Sequence, residues 1–224
     1  MTNVMWKIKI CGLTTIEDAL AAAEAGADAV GLNFHPPSPR CVSVETAANI
    51  AAALPSSVCK VGVFVNLPAT TVLEIASSAK LDWLQLHGDE PPEMLGSLSG
   101  WPVLRAFRCR EEAGVSQVAD YLQACRTAGR TPDAVLADAY QEGCYGGSGK
   151  TVSWELARRL QDHLQETPLV LAGGLTAENV AQAISEAAPQ AVDTASGVES
   201  SPGVKSADKM RAFAQQAAEA FPAT

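Results

Sequence analysis

An α/β fold of the (β/α)8 barrel type is what the sequence predicts, in one domain spanning residues 1–224. Three observations predict it. Short apolar runs alternate with segments of helical period along the whole chain, the order that builds a parallel sheet or a barrel. The alternation yields eight units of each kind. An Asp recurs where a helix gives way to a strand, in Ala-Gly-Ala-Asp28-Ala-Val, Ala-Lys-Leu-Asp82-Trp-Leu and Arg-Thr-Pro-Asp133-Ala-Val, a weak internal repeat.

In chain order, the strands are expected at Lys7–Ile10, Ala29–Phe34, Val61–Phe64, Trp83–Leu86, Val103–Phe107, Ala134–Ala137, Leu169–Ala172 and Ala191–Thr194. Between them, apolar residues fall at i, i+3, i+4, i+7, which lines one face of a helix. The sets are Ile16, Ala19, Leu20 and Ala23; Ala47, Ile50, Ala51 and Leu54; and Val72, Ile75, Ala76 and Ala79. Later in the chain come Val115, Val118, Ala119 and Leu122; Val180, Ala183, Ile184 and Ala187; and Met210, Phe213, Ala214 and Ala217. Less regular helices are expected at Pro91–Leu98 and Trp154–Leu164. Thr14 with Glu17 reads as a capping box, and Thr176 and Ser206 as N-caps. Trp6, Trp83, Trp101 and Trp154 are spread along the chain and read as packing residues.

Composition narrows the function classes. At 224 residues and 47% hydrophobic content the chain can bury one sizeable core. A net charge of −9 with no Lys/Arg run argues against a nucleic-acid partner. The cysteines at 11, 41, 59, 109, 125 and 144 form no Cys-x-x-Cys pair and have no His at metal-ligand spacing, so no metal site is expected and the thiols read as reduced. Met1 to Ile10 lacks a signal-peptide core and no apolar run is long enough to span a bilayer, so a soluble, cytoplasmic protein with no membrane partner is expected.

In a barrel of this type the connections leading into the strands serve stability, and chemistry gathers where the strands end. Asp28, Asp82 and Asp133 therefore read as structural. The other ends carry Cys11, Asn33, His35, Asn66, His87, Arg105, Asp138, Gly173-Gly174 and Ser196-Gly197, polar and reactive groups expected to converge on one rim. Asp138 is the most informative of these. It closes an apolar strand and precedes Gly146-Gly147-Ser148-Gly149-Lys150, a glycine-rich loop of lid length. A carboxylate there is costly to desolvate unless chemistry uses it. The glycines after the seventh and eighth strands can present bare N–H groups to an anion, the usual phosphate position in such barrels. Gly149-Lys150-Thr151 is not a Walker loop, because Cys144 stands where its first glycine is required.

Taken together, Lys9-Ile10-Cys11-Gly12-Leu13-Thr14, Gly62-Val63-Phe64-Val65-Asn66, Leu84-Gln85-Leu86-His87-Gly88-Asp89-Glu90, Gly146-Gly147-Ser148-Gly149-Lys150-Thr151, Ala172-Gly173-Gly174-Leu175 and Ser196-Gly197-Val198-Glu199 resemble the phosphoribosylanthranilate isomerase family over nearly the whole chain. The resemblance implies a TIM-barrel isomerase of tryptophan biosynthesis, acting without metal or cofactor. Its reaction is the Amadori rearrangement of N-(5-phosphoribosyl)anthranilate to 1-(2-carboxyphenylamino)-1-deoxyribulose 5-phosphate. It implies Cys11 as general base, Asp138 as general acid, Arg40 as the partner of the anthranilate carboxylate, and Gly173, Gly174, Ser196 and Gly197 as the phosphate site. The partner is then a small phosphosugar-anthranilate molecule, and the chain is a monomer or homodimer. An apolar rim is expected to keep the Asp138 carboxyl protonated near neutrality, and a nearby cation to favour the Cys11 thiolate. Ala195 stands where the family pattern has a serine, which shifts phosphate binding toward backbone groups. The His35-Pro36-Pro37-Ser38 segment makes the Arg40 loop unusually rich in proline. Two other readings are weighed: a histidine-pathway phosphosugar isomerase, disfavoured because those use paired aspartates where this chain has Cys11, and a non-catalytic phosphosugar-binding or partner-binding barrel.

Overall fold

A computed structural model describes residues 5–109, 112–138 and 152–222. Eight parallel strands close a barrel in sequence order: β1 (Ile8–Cys11), β2 (Ala29–Asn33), β3 (Cys59–Phe64), β4 (Trp83–Leu86), β5 (Val103–Arg108), β6 (Ala134–Asp138), β7 (Leu169–Ala172) and β8 (Ala191–Thr194), with β8 paired back onto β1. The surrounding helices are α1 (Ile16–Glu24), α2 (Val44–Ala53), α3 (Ala69–Ser78), α4 (Met94–Ser97), α5 (Glu112–Ala128), α6 (Val152–Leu164), α7 (Val180–Ala187) and α8 (Ala207–Ala220). A 3-10 turn at Ser196–Val198 and a small hairpin, β9 (Glu199–Ser201) with β10 (Val204–Lys205), precede α8.

Side chains alternate across each strand, so two apolar layers form. Ile8, Ile10, Val30, Leu32, Val103, Phe107, Val135, Leu169 and Leu171 face outward into the layer shared with the helices. Ala29, Val61, Trp83, Leu104, Ala106, Ala134, Leu136 and Val170 form the inner layer. Trp6 and Trp83 meet edge-to-face in it, with ring centroids 6.4 Å apart. The alternation places Lys9 and Cys11 of β1 on the inner side, together with Asp138 of β6 and Asp193 of β8.

The Asp residues leading into the strands are structural, and the reason is a repeated bond pair. Asp28 accepts from the Ile8 N–H on its carboxylate and donates its own N–H to the Ile8 carbonyl. Asp82 does the same with Lys60, and Asp133 with Val103. Gln190 completes the series on Leu169 through its side-chain oxygen. Each residue before an even strand thus closes the ladder of the odd strand before it, satisfying a donor that the sheet leaves open.

Several boundaries differ from the sequence reading. Strands β1 and β6 run one residue past the apolar run, to Cys11 and Asp138, because their last inward position is polar. Thr15, not Thr14, caps α1, accepting from the Asp18 N–H. Asn179, not Thr176, stands at the start of α7, and its side chain accepts the Thr176 N–H while donating to the Gly174 carbonyl. Ser206 caps α8 as expected. The helix expected over Pro91–Leu98 shrinks to Met94–Ser97, since Pro91 and Pro92 supply no N–H and Gly96 weakens the turn they precede. Among the described residues, no helix is long and apolar enough to cross a membrane and no His/Cys/Asp/Glu group could hold a metal ion.

Candidate active site

The rim at the C-terminal ends of the strands begins with Cys11. Its side chain needs Gly31 beside it on β2, because a Cβ there would lie 2.5 Å from the Cys11 Sγ. Directly before it on the inner face, Lys9 is fully buried and its Nζ donates to the Asp193 Oδ2 at 2.9 Å. Burial opposes the Lys9 charge and is the largest single influence on it, but Asp193 and Cys11 together outweigh burial and hold the ammonium pKa above its ordinary value. The other Asp193 oxygen, Oδ1, is buried without a hydrogen-bond partner among the described residues. For Cys11 the balance runs the other way from the sequence expectation. Burial pushes the thiol up, Asp193 adds to that, and the opposing charges of Lys9 and Lys205 do not overcome it, so the free site holds a neutral thiol.

Across the mouth, Asp138 ends β6, three strands round the barrel from β1 by way of β8 and β7. Its Oδ2 lies 3.9 Å from the His87 Nε2, and both side chains are half-buried. Burial lowers the His87 pKa more than Asp138 raises it, so the ring is neutral. Gln85 sits beneath with its Nε2 at 3.2 Å from the His87 Nδ1 and orients the ring. The Gly146–Lys150 loop and Cys144 lie outside the described residues.

Arg40 is carried by the turn after β2. Asn33 donates to the Ser38 Oγ, which accepts the Arg40 N–H, so the proline-rich segment is tied at its base. The arginine stem lies against Gly12, where a Cβ would fall 2.4 Å from the Arg40 Cδ. The guanidinium meets Glu199 side-on, with Nε on Oε1 at 2.7 Å and Nη2 on Oε2 at 2.6 Å. Lys205 donates to the same Oε1 at 2.8 Å and to the Ala195 carbonyl at 3.0 Å. Burial would raise the Glu199 pKa, but the bonds from Arg40 and Lys205 pull it below the ordinary carboxylate value.

The loops after β7 and β8 come together through the Thr194 hydroxyl, which donates to the Leu175 carbonyl at 2.7 Å. Gly173 and Gly174 adopt φ of +94° and +67°, conformations that favour glycine. At Gly197 a Cβ would lie 1.9 Å from the Leu175 oxygen, so only a bare backbone fits between the two loops.

Not every rim candidate belongs to the mouth. Arg105 points outward from β5, its guanidinium over Phe107 and Tyr121 and bonded to the carbonyls of Leu86, Ala106 and Gly88. It braces the loop after β4. Asn66, at φ +53°, accepts the Asp89 N–H, while Glu90 accepts from the N–H groups of Asn66 and Gly88. Asn33 and Asn66 thus organise loops. The residues that the sequence reading passed over are Lys9, Asp193, Glu199 and Lys205. For Lys9 and Asp193 the available signal was a charge at an alternate position inside a strand otherwise buried on both faces.

The chain as a whole is similar to known proteins. Residues 8–216 match the family described as N-(5'phosphoribosyl)anthranilate (PRA) isomerase. An N-(5'-phosphoribosyl)anthranilate isomerase of Rubrobacter xylanophilus is 46% identical over 215 residues, covering 95% of this chain and 99% of that protein. The crystal structure of phosphoribosylanthranilate isomerase from Thermotoga maritima superposes with a TM-score of 0.84 at 40% identity, covering 96% of this chain and all of that one. A phosphoribosylanthranilate isomerase in complex with reduced 1-(o-carboxyphenylamino)-1-deoxyribulose 5-phosphate superposes with a TM-score of 0.82 at 36% identity, again over 96% of this chain and the whole of that one.

Proposed function

The chain belongs to the N-(5'-phosphoribosyl)anthranilate isomerase family, and from that premise we propose how its own residues, in one barrel domain over 1–224, carry the family reaction. It is an isomerase of tryptophan biosynthesis that converts N-(5-phosphoribosyl)anthranilate to 1-(2-carboxyphenylamino)-1-deoxyribulose 5-phosphate. Asp138 is the general acid: it protonates the furanose ring oxygen as the C1′–O4′ bond breaks and the anilinic nitrogen forms a Schiff base. Cys11 is the general base: its thiolate takes the C2′ proton, and the electron pair left behind gives an enolamine that tautomerises to the ketose. Arg40 takes the anthranilate carboxylate, for which a planar guanidinium is the fitting partner. Gly173, Gly174, Ser196 and Gly197 hold the phosphate through backbone N–H groups and the Ser196 hydroxyl.

The observation that supports this reading most is the pair of reactive side chains at the C-terminal ends of β1 and β6, both on the inward side, with Arg40 and the two glycine loops around them. The neutral thiol of the free site fits a base that works in its minor, ionised form, so activity rises with pH as the thiolate fraction grows. The test follows the fluorescence loss of freshly generated N-(5-phosphoribosyl)anthranilate with wild type, Cys11→Ser and Asp138→Asn. Each substitution is expected to lower kcat by a factor on the order of 10²–10⁴, the usual worth of a positioned acid or base. Retained turnover in either folded variant removes that residue from its role.

A further inference from the structure

We infer that Glu199 is the positioning residue for substrate recognition, holding Arg40 so that the guanidinium is preset for the anthranilate carboxylate. The inference deepens the reading of Arg40 given above and rests on it. Two features of the pair argue for positioning rather than simple neutralisation.

The first is which nitrogens Glu199 takes. The bidentate contact uses Nε at 2.7 Å and Nη2 at 2.6 Å, the side edge of the guanidinium. The N–H groups of Nη1 lie outside that contact, so a second carboxylate can be bound without breaking the first. A substrate carboxylate therefore need not compete with Glu199.

The second is how firmly Glu199 is itself held. Its carboxylate is buried, Lys205 donates to Oε1 at 2.8 Å, and Lys209 donates to its backbone oxygen at 2.7 Å. Arg40 and Lys205 thus share one carboxylate, which keeps a positive surplus where an anionic ligand must bind. An arginine side chain carries substantial rotamer entropy, and fixing it before the ligand arrives removes that cost from binding. Gly12 completes the seat, because a Cβ there would collide with the Arg40 stem.

The experiment measures binding by calorimetry of reduced 1-(2-carboxyphenylamino)-1-deoxyribulose 5-phosphate and of its counterpart lacking the ring carboxylate. The ratio of the two Kd values reports recognition of the carboxylate alone, which a change in general stability does not move. Wild type is expected to prefer the carboxylated ligand, and Arg40→Ala to lose that preference. Glu199→Gln is expected to reduce the preference by about tenfold, the scale of one lost charge-assisted contact, with binding of the other ligand nearly unchanged. If Glu199→Gln does not fold, Glu199→Asp keeps the negative charge for the cluster but draws the carboxylate back from the side edge of the Arg40 guanidinium, and the same loss is expected. A preference intact in the Glu199 variants but lost in Arg40→Ala overturns the positioning role and leaves the Arg40 reading standing. A preference intact in Arg40→Ala overturns both.

Discussion

Asp133 and Asp138 stand at the two ends of one strand, and the same side chain does different work at each. At the start of β6, the Asp133 carboxylate accepts the Val103 N–H at 2.8 Å and Arg130 lies 3.7 Å away, so its capacity is used in closing the sheet. At the far end, Asp138 faces the half-buried His87 across 3.9 Å, over the mouth of the barrel. The contrast extends to the whole molecule. The lower end assigns its polar groups to backbone in a repeated pattern, from Asp28 to Gln190, above an inner layer plugged by Trp6 and Trp83. The upper end gathers Lys9, Cys11, Arg40, His87, Asp193, Glu199 and Lys205, pairing charges with charges and leaving a buried carboxylate oxygen without a hydrogen-bond partner among the described residues. A barrel can tolerate that concentration of buried charge because the lower end and the two apolar layers supply the stability.

The contrast breaks most visibly at Gly31. A Cβ there would meet the Cys11 Sγ at 2.5 Å and its Cα at 2.9 Å, so Gly31→Ala should displace the thiol while leaving the helices untouched. A misplacement of that size is expected to lower kcat/KM by about 10², with far-UV circular dichroism unchanged. Wild-type activity in Gly31→Ala would mean that the exact seat of Cys11 is unimportant.

A subtler test concerns the charges beneath Cys11. The groups facing it are Lys9 from β1, Asp193 from β8, Lys205 from β10 and Arg40 from the turn after β2. Removing the buried pair together, as Lys9→Met with Asp193→Asn, avoids stranding either charge. Of the two, Lys9 acts more strongly on the thiol, lowering its pKa where Asp193 raises it. Its loss should therefore move the thiol pKa further up. The rising limb of kcat/KM with pH and the pH dependence of iodoacetamide labelling at Cys11 should both shift to higher pH. A shift to lower pH would show that Asp193 dominates.

Much of this was legible in the sequence, for reasons that particular residues make plain. The eight strands could be located within a residue or two because their apolar runs are buried on both sides, and β1 and β6 were cut short only where Cys11 and Asp138 ended the run. The β9–β10 hairpin was not legible: strands of three and two residues made of Glu, Ser, Val and Lys carry no period to read. Arg105 counts with the rim as a polar residue in the fifth strand, but its place between inward Leu104 and Ala106 turns it toward the helices. Lys9 and Asp193 lie inside the expected strands, and only the closed barrel brings β1 against β8 to pair them. Arg40 and Glu199 are far apart in sequence and their pairing depends on two loops meeting, which no local pattern encodes.

The most direct measurement compares Asp138→Asn with Asp133→Asn in one experiment, recording turnover of N-(5-phosphoribosyl)anthranilate and the thermal midpoint of each. Asp138→Asn is expected to lose activity by a factor on the order of 10²–10⁴ with Tm nearly unchanged. Asp133→Asn keeps an oxygen acceptor but loses the charge that strengthens the Val103 bond, so a destabilisation of about 1 kcal/mol and a Tm lower by about 2–4 °C are expected, with wild-type turnover. The reverse pattern, activity lost at Asp133 and stability lost at Asp138, would contradict the division of the barrel into a stabilising end and a reacting end.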